Sequence, residues 1–238
     1  MRKICFVLLA ALLFAACEKD YDNHYTIRRV ASVQECKADG SEMRVSTYEY
    51  REDGLRISTT LDGALESVSY TRYVDNCEIE TDSTIVDGVL VPNSVTSVYY
   101  RDYYRSMPDS VIVTDPSGAE TVREEYSYDG TFYSIFTYKE GVHTDMKVIH
   151  SYTGCVSVDS YVWDAEKNEW KYVNKEETVT TYDSDLTTVT IYVDNKMTNK
   201  TIYQSLQNTV DFKRYKAADD GTWSMTSYGT YKYETITI

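Results

Sequence analysis

The chain has 238 residues, with 38 Asp and Glu against 24 Lys and Arg and a formal charge of −14. A surface this acidic repels phosphate backbones, so nucleic acid is excluded as a natural partner. Three prolines and ten glycines are too few for a disordered or low-complexity chain. Tyrosine is unusually abundant, 24 of them against five Phe and three Trp. Tyr and Thr favour pleated, half-buried surfaces where a ring lies flat and its hydroxyl stays wet.

At the N-terminus, Arg2-Lys3 precedes an apolar run, Ile4 to Ala16, which ends on Cys17. Such a run is too short to span a bilayer, which needs about 20 apolar residues, and it has the layout of a secretory signal. Phe14-Ala15-Ala16-Cys17 resembles the lipobox of bacterial lipoproteins, with Phe14 where leucine is usual. The resemblance implies cleavage before Cys17, lipidation of Cys17 and an outer-membrane anchor; an ordinary cleavable signal is the alternative. Residues 1–16 are then leader and 17–27 a tether, with residues 28–238 as the folded domain. Removing Arg2 and Lys3 with the leader lowers the formal charge from −14 to −16. Glu18-Lys19-Asp20-Tyr21-Asp22 is polar and mostly acidic. It resembles the signal that directs lipoproteins of Bacteroidota to the cell surface.

Beyond the tether, turn signals recur at a spacing of about 12 or 13 residues. They include Asp39-Gly40, Asp53-Gly54, Asp62-Gly63, Asp75-Asn76, Asp87-Gly88, Ser117-Gly118, Asp129-Gly130 and Glu140-Gly141. Thr153-Gly154, Glu166 to Asn168, Asp183-Ser184, Asp194-Asn195, Gln207-Asn208 and Asp219 to Gly221 continue the series. One gap, from Asp87 to Ser117, is double length and predicts a turn near Arg101-Asp102 or Met107-Pro108. Asp-Gly is a strong hairpin signal because the central residues of a tight type I′ turn need positive φ. The pattern predicts an all-β chain, an antiparallel hairpin meander of about 14–15 strands, as an elongated open sheet or a sheet curled on itself.

Alternation assigns the strand faces. Thr187, Val189, Ile191 and Val193 share one face of their strand, with Leu186, Thr188, Thr190 and Tyr192 on the other. In the last arm Tyr231, Tyr233, Thr235 and Thr237 oppose Lys232, Glu234, Ile236 and Ile238. One aliphatic-leaning face and one Tyr/Thr face suit a sheet packed on one side and wet on the other. The stretch Phe132 to Tyr138 is apolar on both faces, which predicts a second layer over it.

At residues 161–172, YVWDAEKNEWKY, followed by KEETVTTYD at 175–183, the chain resembles the Tyr-Asp-rich β-repeat lipoproteins of Bacteroidota. It is loosely similar to the tyrosine-aspartate repeats of Rhs-type shell proteins, without their Gly-Arg spacing. The resemblance implies an exported, membrane-tethered β-repeat protein and brings no enzymatic activity with it.

Candidate chemistry is sparse. With a turn centred on Glu166-Lys167, Trp163 faces Trp170 and Tyr161 faces Tyr172 on one side of a hairpin. Those four rings form either a structural staple or a flat platform for sugar rings. His143 and His150 fall on one strand, and their odd separation predicts opposite faces, which rules out a shared metal or proton relay. His150 near Cys155 invites a thiol-nucleophile reading but has no third member. Asp183-Ser184-Asp185 and Asp219-Asp220 lack the spaced ligands of a calcium loop. Cys36, Cys77 and Cys155 allow at most one internal disulfide. No metal or cofactor is expected.

The reading that follows is a non-catalytic, membrane-anchored surface lipoprotein whose Tyr/Trp face contacts a glycan or protein. The alternative is a periplasm-facing, barrel-like carrier of an apolar ligand. An enzyme of unknown type comes third.

Overall fold

The computed structural model of the chain describes residues 18–19, 25–102 and 104–237. The leader, Cys17 and His24 lie outside the described residues. A two-residue strand β1 (Glu18–Lys19) is followed by β2 (Tyr25–Lys37), β3 (Arg44–Arg51), β4 (Gly54–Leu61), β5 (Ala64–Val74) and β6 (Cys77–Val86). Next come β7 (Val89–Tyr100), β8 (Pro108–Thr114), β9 (Glu120–Asp129), β10 (Phe132–Lys139), β11 (Val142–Tyr152) and β12 (Cys155–Asp164). The chain ends with β13 (Glu169–Asp183), β14 (Leu186–Val193), β15 (Lys196–Ser205), β16 (Thr209–Ala217) and β17 (Trp223–Thr237).

From β2 to β17 each strand pairs antiparallel with the next, and β17 pairs back onto β2, from Thr237↔Thr26 to Ser227↔Lys37. Among the described residues the hairpin meander therefore closes into a barrel of 16 strands, a little above the expected count and with no open edge strand in the ring. The turns work as their residues dictate. At Asp62-Gly63, Asp87-Gly88, Glu140-Gly141 and Asp194-Asn195 both central residues have positive φ, which is the type I′ geometry. Three signals are displaced by one residue, one of them at Asp183-Ser184, where Asp183 pairs with Leu186 and Ser184-Asp185 makes the turn. Asp129 pairs with Phe132, so Gly130-Thr131 makes that turn with only Gly130 at positive φ. Gly54 pairs with Arg51, and a Cβ on it would stand 1.9 Å from the Thr71 carbonyl oxygen. The double-length gap is divided by a loop from Arg101 to Met107, between the ends of β7 and β8.

Tracing paired positions around the ring separates two faces. One contains Phe212, 1% exposed and the only large side chain fully buried among the described residues, with Val30, Val111 and Ile149 also buried. This is the inner face. Thr71 on the same face is buried too, but most of the inner row remains partly accessible, so side chains do not fill the interior. A closed sheet of this many strands is wide enough to enclose a lumen. The outer face carries charges along its strands, among them Arg56 with Glu49 (3.6 Å) and Lys175 with Glu177 (2.7 Å). Each Arg or Lys on a lipid-facing barrel wall costs about 2–4 kcal/mol at the bilayer midplane. This outer wall suits water better than hydrocarbon.

The alternation read from sequence holds: Thr187, Val189 and Ile191 face inward with their partners Tyr203, Thr201 and Asn199. In β17, however, the face carrying Tyr231 and Tyr233 turns into the lumen, paired with Val33 and Val30. The expected second layer over Phe132 to Tyr138 is not found among the described residues, whose strands all belong to one sheet. The outward members Phe132, Phe136 and Tyr138 instead pack laterally against rings on the same wall.

Candidate functional site

The Trp hairpin forms in the predicted register: Tyr161 pairs with Tyr172 and Trp163 with Trp170 across β12 and β13. The loop runs from Ala165 to Asn168. These four rings point outward. Trp163 and Trp170 meet edge-to-face with centroids 5.0 Å apart, and Tyr161 and Tyr172 do the same at 5.6 Å. That edge-to-face geometry satisfies the ring quadrupoles, and neither ring pair is coplanar. Tyr172 is 50% exposed. The first β13–β14 pair is Glu176↔Val193, so the upper arm of β13 extends past β14.

Rings from β10 and β11 enlarge this patch. His143 lies 4.3 Å from Tyr138, 5.6 Å from Trp163 and 5.5 Å from Trp170, and Phe136 lies 6.2 Å from Trp170. Sequence reasoning missed His143 because simple alternation puts it inside. A β-bulge shifts the register between Thr137 and Tyr138, so Tyr138 pairs with His143 and Thr137 with Asp145. Thr144 is the extra residue, and it turns His143 onto the same face as His150. The two histidines stay apart: His150 stacks on Phe132 (5.4 Å) and Tyr152 (6.4 Å) at the other end of the strand.

The remaining sequence candidates have local roles. Asp185 accepts a hydrogen bond from Gln204 (3.3 Å), and Asp220 accepts one from the Thr222 amide (2.9 Å). Cys36, Cys77 and Cys155 are free thiols.

The lumen has three chemically distinct sectors. On β15 to β3, Phe212 packs against Tyr231 (5.2 Å) and Tyr203 (6.4 Å), under the Arg214 guanidinium at 4.7 Å. Arg214 is ion-paired with Glu35. Burial pushes the Tyr203 and Tyr48 phenols up to about 12. On β5 to β7, Glu78, Glu80 and Asp82 share the inner face of one strand. The Tyr100 hydroxyl donates to Glu78 (3.4 Å). Burial, then the Glu78 charge, raises the Tyr100 phenol to about 12, and burial also raises Glu78 itself. Near β9, Tyr126 donates to Glu124 (3.3 Å); burial raises both groups. The third sector mixes aliphatic and polar groups: Ile149 pairs with Val158, Val158 pairs on its other side with Glu176, and farther round Thr180 pairs with Val189 and Thr178 with Ile191.

The fold thus defines the chain as a closed 16-stranded β-barrel with a mixed tyrosine, carboxylate and aliphatic lumen. No protein-family model matches the chain, and no curated protein matches it. Among solved structures it is similar to a porin-like protein from Bacteroides uniformis ATCC 8492. That match has a TM-score of 0.53 and 11% identity and covers 87% of this chain and 96% of that one. A protein of unknown function from Bacteroides fragilis NCTC 9343 matches at TM-score 0.26 and 16% identity, over 62% of this chain and 87% of that one. A double mutant of Transferrin Binding Protein B from Haemophilus parasuis Hp5 matches at TM-score 0.22 and 5% identity, over 90% and 76%. The first likeness concerns the fold alone, and the other two carry no argument.

Proposed function

We propose that the protein is a non-catalytic ligand-binding barrel, held at the outer membrane by lipid on Cys17 and exposed at the cell surface, that takes an amphipathic small molecule into its lumen. The observation that carries this reading is the unfilled interior of a closed barrel, whose inner wall places aliphatic side chains beside desolvated tyrosines and carboxylates. Such a wall offers an apolar body its burial and a polar group its hydrogen bonds, the usual composition of a small-molecule site. Anchorage is supported by the Phe14-Ala15-Ala16-Cys17 sequence and the acidic tether behind it. A second reading, contact with a glycan or protein through the outer aromatic patch, is favoured by the exposed Tyr172.

Native mass spectrometry of the purified protein separates the two. A co-purifying small-molecule adduct should be lost in the inward variants Tyr133→Ala and Tyr203→Ala and kept in the outward double variant Trp163→Ala/Trp170→Ala. The reverse pattern would move binding to the outer patch.

A further inference from the structure

The barrel wall has one seam where hydrogen bonding stops early. The β2–β3 ladder consists of Ser32↔Thr47 to Glu35↔Arg44, yet β2 continues down to Tyr25 and β3 to Arg51. On its other side β2 stays paired with β17 to Thr26↔Thr237. Below Ser32 the two-residue β1 pairs with the foot of β2 (Glu18↔Thr26, Lys19↔Tyr25), and between that pairing and Ser32 side chains fill the seam. Arg29 is ion-paired with Glu234 at 2.5 Å, and its guanidinium stands 4.2 Å from the Tyr50 ring centroid.

Arg28 differs from its neighbour. Its position pairs with Thr235 on the inner face, and its guanidinium lies 4.9 Å from the centroid of Tyr233, an inner-face ring. It has no carboxylate within ion-pair distance among the described residues. Its Nε is buried without a hydrogen-bond acceptor. A shortage of acid cannot explain this in a chain with 38 Asp and Glu against 24 Lys and Arg. A buried donor left unmade costs about 1–3 kcal/mol, more when charged, so a missing acceptor there calls for an occupant. Beside it the inner face is apolar: Val30 is buried, and Tyr48 and Ile57 pair on the next two strands.

We infer that Arg28 is the head-group site of the lumen and binds the carboxylate or phosphate of an anionic amphiphile, whose apolar part lies along Val30, Tyr48 and Ile57. The planar guanidinium offers a forked pair of N–H donors that either oxyanion can accept. Tyr233 supports the cation from its ring face. This inference rests on the lumen-binding reading above.

Isothermal titration calorimetry of the purified full-length protein with octanoate, octyl phosphate, octanol and octylammonium tests it. At least one of the two anions should bind tenfold or more tightly than octanol and octylammonium, and which anion does so distinguishes a carboxylate from a phosphate ligand. Arg28→Gln should abolish that preference and Arg28→Lys should reduce it, in variants whose β-sheet circular dichroism is unchanged. Arg44→Gln, which removes a guanidinium ion-paired with Glu66, should leave it intact. Equal binding of octanol and the anions, or an undiminished preference in Arg28→Gln and Arg28→Lys, would overturn the Arg28 assignment while sparing the lumen. Binding of none of the four would overturn both.

Discussion

Gly229 sits directly opposite Phe212 in the β16–β17 ladder, and a Cβ at position 229 would come within 2.6 Å of Phe212 Cζ and 2.0 Å of the Gln34 carbonyl oxygen. The ring of Phe212 occupies the space that the missing side chain leaves, which is how it becomes fully buried on an inner wall that is mostly accessible. A backbone oxygen cannot swing aside as a flexible side chain can. Gly229→Ala should therefore lower unfolding stability by at least about 2 kcal/mol through overpacking. Phe212→Ala should cost about 3–5 kcal/mol through the cavity it leaves. Urea denaturation followed by circular dichroism measures both; a neutral Gly229→Ala would show that this contact is not tight in solution.

The edge-to-face pair Trp163–Trp170 predicts coupling across the outer hairpin. In a double-mutant cycle with alanine, the interaction should be about 0.5–1.5 kcal/mol beyond the single losses. Additive losses would mean that the rings contribute only by their separate burial. Adding Tyr172→Ala, whose ring is half exposed, should cost less than either Trp substitution.

Tyr48, Tyr100 and Tyr203 give the barrel an alkaline signature. Their folded phenols titrate at about 12 against the ordinary 10.0, because burial disfavours the phenolate. Their stabilising contribution is full below pH 10, where the phenol is neutral in both states. It is lost as the pH rises from about 10 to about 12, because the unfolded chain ionises first. Absorbance titration near 295 nm should show an early group of exposed tyrosines and a late group, with thermal stability falling over that interval. A single transition near pH 10, with the fold intact, would contradict the burial of this inner row.

Anchorage is tested in cells by Cys17→Ser. The wild type should partition into the detergent phase of a Triton X-114 separation and the variant into the aqueous phase, since acyl chains contribute about 0.8 kcal/mol per buried CH₂. Equal aqueous partitioning of both would remove the lipid anchor from the proposal.

Turn chemistry and alternation made the local structure legible. Asp62-Gly63, Asp87-Gly88, Glu140-Gly141 and Asp194-Asn195 fall where left-handed backbone is needed, and the Tyr161–Tyr172 and Trp163–Trp170 pairs follow from counting across a short loop. Alternation failed at His143, because a one-residue bulge at Thr144 reverses the faces of everything beyond it and bears no fixed sequence mark. It could not identify Arg28 either, since its lack of a partner depends on a ladder that ends early and on a tyrosine about 200 residues away in the chain.

By itself the sequence determined that this protein is a meander of antiparallel hairpins, with the alternating faces of strands such as Leu186–Val193 and the register of its Trp hairpin, because each depends on residues a few positions apart. Only the tertiary structure decided that the meander closes, that Tyr231 and Tyr233 face a lumen instead of solvent, and that Arg28 is left without an acceptor. Closure brings β2 against β17 and depends on twist and stagger accumulated over 16 strands. No local motif encodes that sum.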